Sequence, residues 1–296
     1  MKDVLSDHRL LNGKAVRVRI LDEVKSYVES HPGGPIGRLV SISIGNNPEV
    51  AVYVRNQARG ATAAGLRFDQ QLWGDEVTQE ECKRLITDMN DDPDVLGIIL
   101  QRPVPDHINV RSLQSAIHPL KDVEGMNPAS IGNIVYSDVA LAPCTAAASV
   151  ELIKETGLDL KGLEVVMIGH SEIVGKPAAM MLMAEGATVT VCHHMTRSVA
   201  MHSRRADVVV VAVGKAHLIG PDMIKPGAAV IDIGINQIVD PDGSTRIVGD
   251  VDTDAVLAVA GWITPVPGGV GPVTVAILMR NATVAHNRQL AAGWIS

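Results

Sequence analysis

Leu163-Glu164-Val165-Val166-Met167-Ile168-Gly169-His170-Ser171-Glu172-Ile173-Val174-Gly175-Lys176-Pro177 is the stretch that decides the fold. Its first seven residues are a short apolar run with a glycine stop, the pattern of a buried parallel strand. The remainder opens a helix. Gly169 permits close backbone approach, and Gly175 permits tight packing near the helix start. Free N–H groups and the helix dipole then face an anion, for which a pyrophosphate is the natural candidate. The spacing differs from the usual Gly-x-Gly-x-x-Gly. A strand-to-helix turn that needs glycine for geometry alone would read the same way.

Working outward, further strands follow at ATVTVC (187–192), ADVVVVAVG (206–214) and AAVIDIGIN (228–236). Regular alternation of strand and helix predicts an α/β fold with a Rossmann-like, doubly wound parallel sheet spanning about 163–236. Ligands bind at the carboxyl ends of such strands, where Val213-Gly214, Gly234-Ile235-Asn236 and Cys192-His193-His194 fall. Upstream, LVSISIG (39–45), an Ala-rich helix over 49–65 and VLGIILQ (95–101) make a βαβ pattern. A helical pattern covers 145–157. The Pro/Gly loop 264–274 feeds a helix at about 273–290, which is expected to return to the first domain. Residues 1–143 plus 273–296 then form one α/β domain. Residues 144–272 form the second, inserted with two crossings between domains.

The composition bounds the function. Of 296 residues, 46% are hydrophobic and only 2% aromatic, so the core is aliphatic. The net charge is -7 and no Lys/Arg block occurs, which argues against nucleic acid or an anionic membrane as partner. Three dispersed cysteines make no disulfide framework and suit a reducing compartment. The N-terminus lacks a signal-peptide core, and no apolar run reaches the ~18 residues of a membrane span, so a cytoplasmic location is expected.

At Tyr53-Val54-Arg55-Asn56, Pro119 to Val123, Pro143-Cys144-Thr145, the turn at Gly169, Ala187 to Thr190, Gly234-Ile235-Asn236, Gly249 to Asp252 and the run Thr264 to Pro272, the chain resembles the methylenetetrahydrofolate dehydrogenase/cyclohydrolase family. The likeness covers most of the chain in the family's order. It implies two domains flanking a cleft, a reduced folate in the cleft, NADP or NAD on the second domain, no metal, and a homodimer. Tyr53, Gln57, Gln101 and Glu124 then take the catalytic positions. Tyr53, Gln101 and Glu124 contact folate with Pro265, Pro267, Gly268 and Gly269, in a loop where one X-Pro bond is a candidate for cis. Thr145, Gly169, His170, Ser171, Ile173, His194, Gly214 and Ile235 line the dinucleotide.

The chain departs from the family at its folate side. The family's Ser-x-x-Tyr-x-x-x-Lys reads Val50, Tyr53 and Gln57, three positions on one helix face. Its Lys-Asp-Val-Asp-Gly-x-His-Pro reads Lys121 to Pro128, with Glu124 and Asn127 substituted, and the Pro and Gly after Thr145 are both alanine, at Ala146 and Ala148. Hydride removal needs mainly positioning of the methylene carbon. Hydrolysis of the methenyl product needs proton management, which a lysine can supply and a glutamine amide cannot. Weak or lost cyclohydrolase is therefore expected. Glu124 keeps a carboxylate for the paired N–H donors of a pterin; alternatively it caps local structure.

His170 and His194 stand where many relatives have Arg and Ser for the NADP 2′-phosphate. They imply either pH-sensitive NADP use or a preference for NAD. A metal reading of Cys192-His193-His194 is set aside because neighbours on a strand face opposite ways. Met180, Met181 and Met183 read as helix packing, and Cys144 as packing rather than nucleophile. Asp232 and Asp252 read as hydrogen-bonding groups for turns. Two rival functions remain: a bifunctional enzyme in which Lys121 replaces the missing lysine, and a non-catalytic folate or dinucleotide sensor.

Overall fold

The computed structural model describes residues 8–31 and 36–295. The described chain divides into two compact units, one of Val18–Cys144 with residues 275–295, the other of residues 8–17 with Thr145–Thr274.

The first unit follows helix α1 (Gly13–Glu29), which begins in the other unit, with β1 (Arg38–Ile44), α2 (Pro48–Ala63), β2 (Arg67–Trp73), α3 (Gln79–Asp91), β3 (Val95–Leu100), α4 (Val110–Ala116) and α5 (Pro128–Val135). Its three strands are parallel in the order β2-β1-β3. β3 is buried throughout, and β1 everywhere but at its first residue. Val40, Ile42, Ile98 and Leu100 pack with Ile86 and Leu113 in an aliphatic core. Each such side chain contributes about 1.5–3 kcal/mol on burial. β2, Arg-Phe-Asp-Gln-Gln-Leu-Trp, is an edge strand with no fully buried residue. Its polar sequence hides it from a search for apolar runs. The ladder continues one residue past β3, where Gln101 N donates to Ile42 O at 2.9 Å.

The second unit contains α6 (Cys144–Lys154, whose first residue belongs to the first unit), β4 (Glu164–Ile168), α7 (Gly175–Ala184), β5 (Thr188–Cys192), α8 (Val199–Ser203), β6 (Val208–Val211), β7 (Ala229–Asp232), β8 (Asn236–Val239), β9 (Thr245–Val248), α9 (Thr253–Val256) and β10 (Trp262–Ile263). Five strands form a parallel sheet in the order β10-β7-β6-β4-β5. Ile168 is level with Cys192 and Val211, and Val211 with Asp232, so four carboxyl ends lie in one row.

Three expectations need correction. The sheet does not end near 236: the predicted strand 228–236 splits into β7 and the first arm of an antiparallel β8–β9 hairpin, and β10 adds a further edge. A two-residue strand carries no periodicity to read. The N-terminal segment also belongs here. Leu11 N donates to Ile263 O and Ile263 N to Arg9 O, both at 2.9 Å, so this segment lies along β10. The chain therefore passes between units at 17/18, 144/145 and 274/275, three times rather than two. Among the methionines of α7 only Met181 is buried; Met180 and Met183 are exposed.

The last helix, α10 (Val270–Ala291), returns to the first unit. There Asn281 Nδ2 donates to Val123 O at 2.9 Å and Ala142 O at 3.2 Å, and Gln289 Nε2 donates to Leu96 O and Leu120 O at 2.8 and 2.9 Å.

Candidate active site

In the first unit, α2 buries Val50 and Gln57 on the face that also carries Tyr53. Gln101, just beyond β3, is buried as well. Its Nε2 donates to Gln57 Oε1 at 2.7 Å and to Ser41 Oγ at 2.9 Å. The other end of the Gln57 amide, Nε2, is buried without a close hydrogen-bond partner, and the amide faces the Tyr53 hydroxyl, whose pKa it acts to lower. A buried donor left open is costly, by roughly 1–3 kcal/mol, and marks a place for a bound acceptor.

Glu124 is fixed by the turn that follows a short bridge between Ile98 and Asp122. Asp122 holds that turn by accepting from Met126 N at 3.1 Å, Asn127 N at 2.7 Å and Ser130 Oγ at 2.7 Å. Glu124 Oε2 accepts from Leu100 N at 2.8 Å. Burial pushes this carboxyl up to about 7 despite that bond and the nearby Arg102 charge. It therefore titrates near neutrality. Burial, with Cys144 and Glu124 close by, raises the Tyr53 phenol above its ordinary value, so Tyr53 presents a neutral O–H. Tyr53, Gln57, Gln101 and Glu124 thus form one cluster.

Cys144 is not a nucleophile in this setting. Burial lifts its thiol well above the ordinary value, and Asn281 Nδ2 lies 3.6 Å from its sulfur. Lys121 is excluded from the cluster's proton chemistry. It is 1% exposed, and its Nζ donates to Met89 O at 2.8 Å and Asp92 O at 2.6 Å. Asn127 is structural: it caps α5 by accepting from Ala129 N at 2.8 Å.

In the second unit the row of strand ends carries the predicted dinucleotide residues. Gly169 N donates to Cys192 O and Ala212 N to Ile168 O, both at 2.8 Å, which joins three of these ends. Gly169 has φ +117, and a Cβ there would strike the Ala212 carbonyl; a Cβ on Gly175 would strike the Gly169 carbonyl. The turn is thus packed backbone to backbone, leaving His170, Ser171 and Ile173 exposed beside it. His194, Gly214 and Ile235 are exposed on the same row, and Thr145 lies half-buried in the first turn of α6. Pro265, Pro267, Gly268 and Gly269 follow β10 at the same carboxyl edge, and Val266–Pro267 is cis.

Two carboxylates hold this edge. Asp250, which the sequence reading passed over, accepts from Val213 N (2.7 Å), Gly214 N (3.0 Å), Lys215 N (2.8 Å) and Asn236 Nδ2 (2.9 Å). Asp232 accepts from Gly234 N (2.9 Å), Asp250 N (3.0 Å) and Val251 N (2.9 Å), and burial raises its carboxyl to about 6. Asp252 caps α9 through Ala255 N at 3.2 Å. The only available signal for Asp250 was its place in Gly249-Asp250-Val251-Asp252.

His193 and His194 lie beyond β5, in a turn closed by Thr196 N to His193 O at 2.8 Å. Strand alternation, used above to set a metal aside, therefore does not apply to them. No helix among the described residues is long and apolar enough to cross a membrane.

Comparison with known proteins agrees with this layout. Residues 11–124 match the catalytic domain of tetrahydrofolate dehydrogenase/cyclohydrolase, and residues 143–290 match its NAD(P)-binding domain. A protein of Roseobacter denitrificans named bifunctional protein FolD 3 is 81% identical, over 98% of this chain and 99% of its own. The crystal structure of the bifunctional enzyme FolD, methylenetetrahydrofolate dehydrogenase/cyclohydrolase, from Campylobacter jejuni superposes with a TM-score of 0.89 at 37% identity, covering 95% of this chain and 99% of that one. The Trypanosoma brucei methylenetetrahydrofolate dehydrogenase-cyclohydrolase, complexed with NADP cofactor and inhibitor, gives 0.89 at 36% identity, covering 95% and 98%. With both domains matched and relatives this similar, the chain belongs to the tetrahydrofolate dehydrogenase/cyclohydrolase family.

Proposed function

We propose that the protein oxidises methylene-tetrahydrofolate to methenyl-tetrahydrofolate with NADP or NAD as acceptor, and that hydrolysis of the methenyl product is weak. The observation that carries this reading is the Gln57–Gln101 pair, whose open buried amide stands where the family places a lysine. The dinucleotide fits the second unit, where the packed glycine turn brings exposed side chains to a row of strand ends. When bound, it supplies the hydride acceptor.

The chain's own groups do the rest. Glu124 takes the paired N–H donors of the pterin, and its carboxyl, near 7, is available in both protonation states at neutral pH. Tyr53 donates its neutral hydroxyl, and Gln57 Nε2 donates to a folate acceptor. These contacts hold the methylene carbon in register while its two flanking nitrogens stabilise the cation left by hydride loss. Pro265, Pro267, Gly268 and Gly269 complete the folate contacts. Thr145, Gly169, His170, Ser171, Ile173, His194, Gly214 and Ile235 contact the dinucleotide. His170 and His194 meet the 2′-phosphate. A homodimer in the cytoplasm is the proposed working form.

A second reading retains hydrolysis. It is favoured by Glu124, a group that titrates near neutrality beside Tyr53, and by the bifunctional naming of the 81%-identical relative. Lys121 has no part in it, since its ammonium is sequestered. Paired assays on purified protein separate the two: methylene-folate oxidation with each cofactor, then methenyl-folate hydrolysis. Hydrolysis near the buffer rate supports specialisation. Hydrolysis matching oxidation, and lost in Glu124→Gln, supports the second reading. Failure of both activities, with folate binding intact, would favour a sensor.

A further inference from the structure

We propose that His170, His193 and His194 form a binding site for a borderline-soft divalent transition metal ion of the zinc class, at the carboxyl edge of the second unit's sheet. One ring nitrogen from each of the three lies within 4.8 Å of the others. The rings gather closely: His170 and His193 centroids are 4.6 Å apart at 31°, and His194 lies 5.8 Å from His193 and 6.1 Å from His170.

The backbone builds this cluster rather than chance side-chain drift. Gly169 N bonds Cys192 O, so the segments that follow β4 and β5, carrying His170 and His193, are brought side by side. Thr196 then pins the second segment twice, through its N–H to His193 O at 2.8 Å and its hydroxyl oxygen from His193 N at 2.9 Å. The resulting turn swings His194 to the side of its neighbour.

A three-imidazole set is a common nitrogen ligand set for zinc, and three protein ligands leave a fourth position for water or another donor. Zinc–nitrogen bonds of about 2.0–2.1 Å require the nitrogens to close to about 3.4 Å of one another. His170 and His194 are exposed, so modest side-chain rotation supplies this closure without disturbing the core. One cost is visible. His193 Nδ1 accepts from Met195 N at 3.2 Å. Coordination through either nitrogen gives up that long contact, and the exposed Met195 backbone can turn to water instead.

The test uses full-length, untagged, chelator-stripped protein titrated with Co2+ alone, then Zn2+. The expected result is saturable 1:1 binding with visible ligand-field bands, displaced by Zn2+, and a Zn2+-dependent rise in Tm. His170→Ala, His193→Ala and His194→Ala should each weaken Co2+ binding at least tenfold, with metal-free Tm unchanged. His107→Ala, in the other unit, should bind as wild type. The proposal is overturned if binding does not saturate, or if it survives His193→Ala. It is equally overturned if cobalt shows only its hydrated-ion spectrum in the presence of the protein.

Discussion

Gln101 Nε2 donates to Gln57 Oε1 at 2.7 Å, and the Gln57 Nε2 is left buried without a close partner, with the Tyr53 hydroxyl beside the amide. The pair joins the end of β3 to the middle of α2 and replaces a titratable group with a fixed dipole. Gln57→Lys is expected to raise methenyl-folate hydrolysis, but only in part, since Val50 offers no hydroxyl. Val50→Ser with Gln57→Lys should raise it further, by more than the product of the single effects, because both side chains share one helix face and one site. Single-turnover hydrolysis assays measure this. If neither variant exceeds wild type, Gln57 is not what limits hydrolysis.

Glu124 makes stability depend on pH. Its carboxyl moves from an ordinary 4.5 to about 7 on folding, chiefly through burial. Between these values the folded state holds a proton that the unfolded state has released. Its contribution is therefore full below about 4.5 and is lost as pH rises through 7. The loss is on the order of 3 kcal/mol, the size of a change from 4.5 to about 7. Glu124→Gln should flatten this part of the Tm–pH profile and gain most, relative to wild type, at pH values above about 7. An unchanged profile would show that the carboxyl is hydrated in solution.

How much of this was legible in the sequence follows from what each residue's environment encodes. β1, β3 and β6 are buried on both faces and read as apolar runs. β2 and β10 do not, because one is a polar edge and the other only two residues long. Family spacing located Tyr53, Gln57, Gln101 and Glu124. It could not show that Lys121 is sequestered by Met89 O and Asp92 O, or that Asp250 serves three backbone N–H groups, since both depend on distant carbonyls and amides. Nor could it show the histidine cluster, because a turn after Cys192 overrides strand alternation.

Asp250 should act as a positioning residue for dinucleotide binding. Its carboxylate collects the N–H groups of Val213, Gly214 and Lys215 and ties them to Asn236. Asp250→Ala leaves those donors unmatched, and hydrogen bonds to a charged acceptor are worth about 1.5–3 kcal/mol each. The variant should lose several kcal/mol of stability and raise KM for the dinucleotide at least tenfold. Asp250→Asn keeps one acceptor oxygen and should fall between. Denaturant melts and cofactor titrations check this. A stability loss with cofactor KM unchanged would confine Asp250 to a folding role.

His170 and His194 bear on cofactor choice. Both are exposed at the row of strand ends, in the positions proposed for the 2′-phosphate. Each imidazole can offer an N–H donor to the oxygens of that group. NADP affinity should therefore depend on both rings. NAD, which lacks the phosphate, should bind almost equally with or without them. Titrations in the presence of a chelator, which keeps metal from occupying the same rings, isolate this effect. The His170→Ala, His194→Ala double variant should lose most of any NADP advantage while NAD binding stays within about twofold, a difference of roughly 0.4 kcal/mol. If NADP preference persists undiminished in that variant, the 2′-phosphate is held elsewhere, and the two histidines do not select the cofactor.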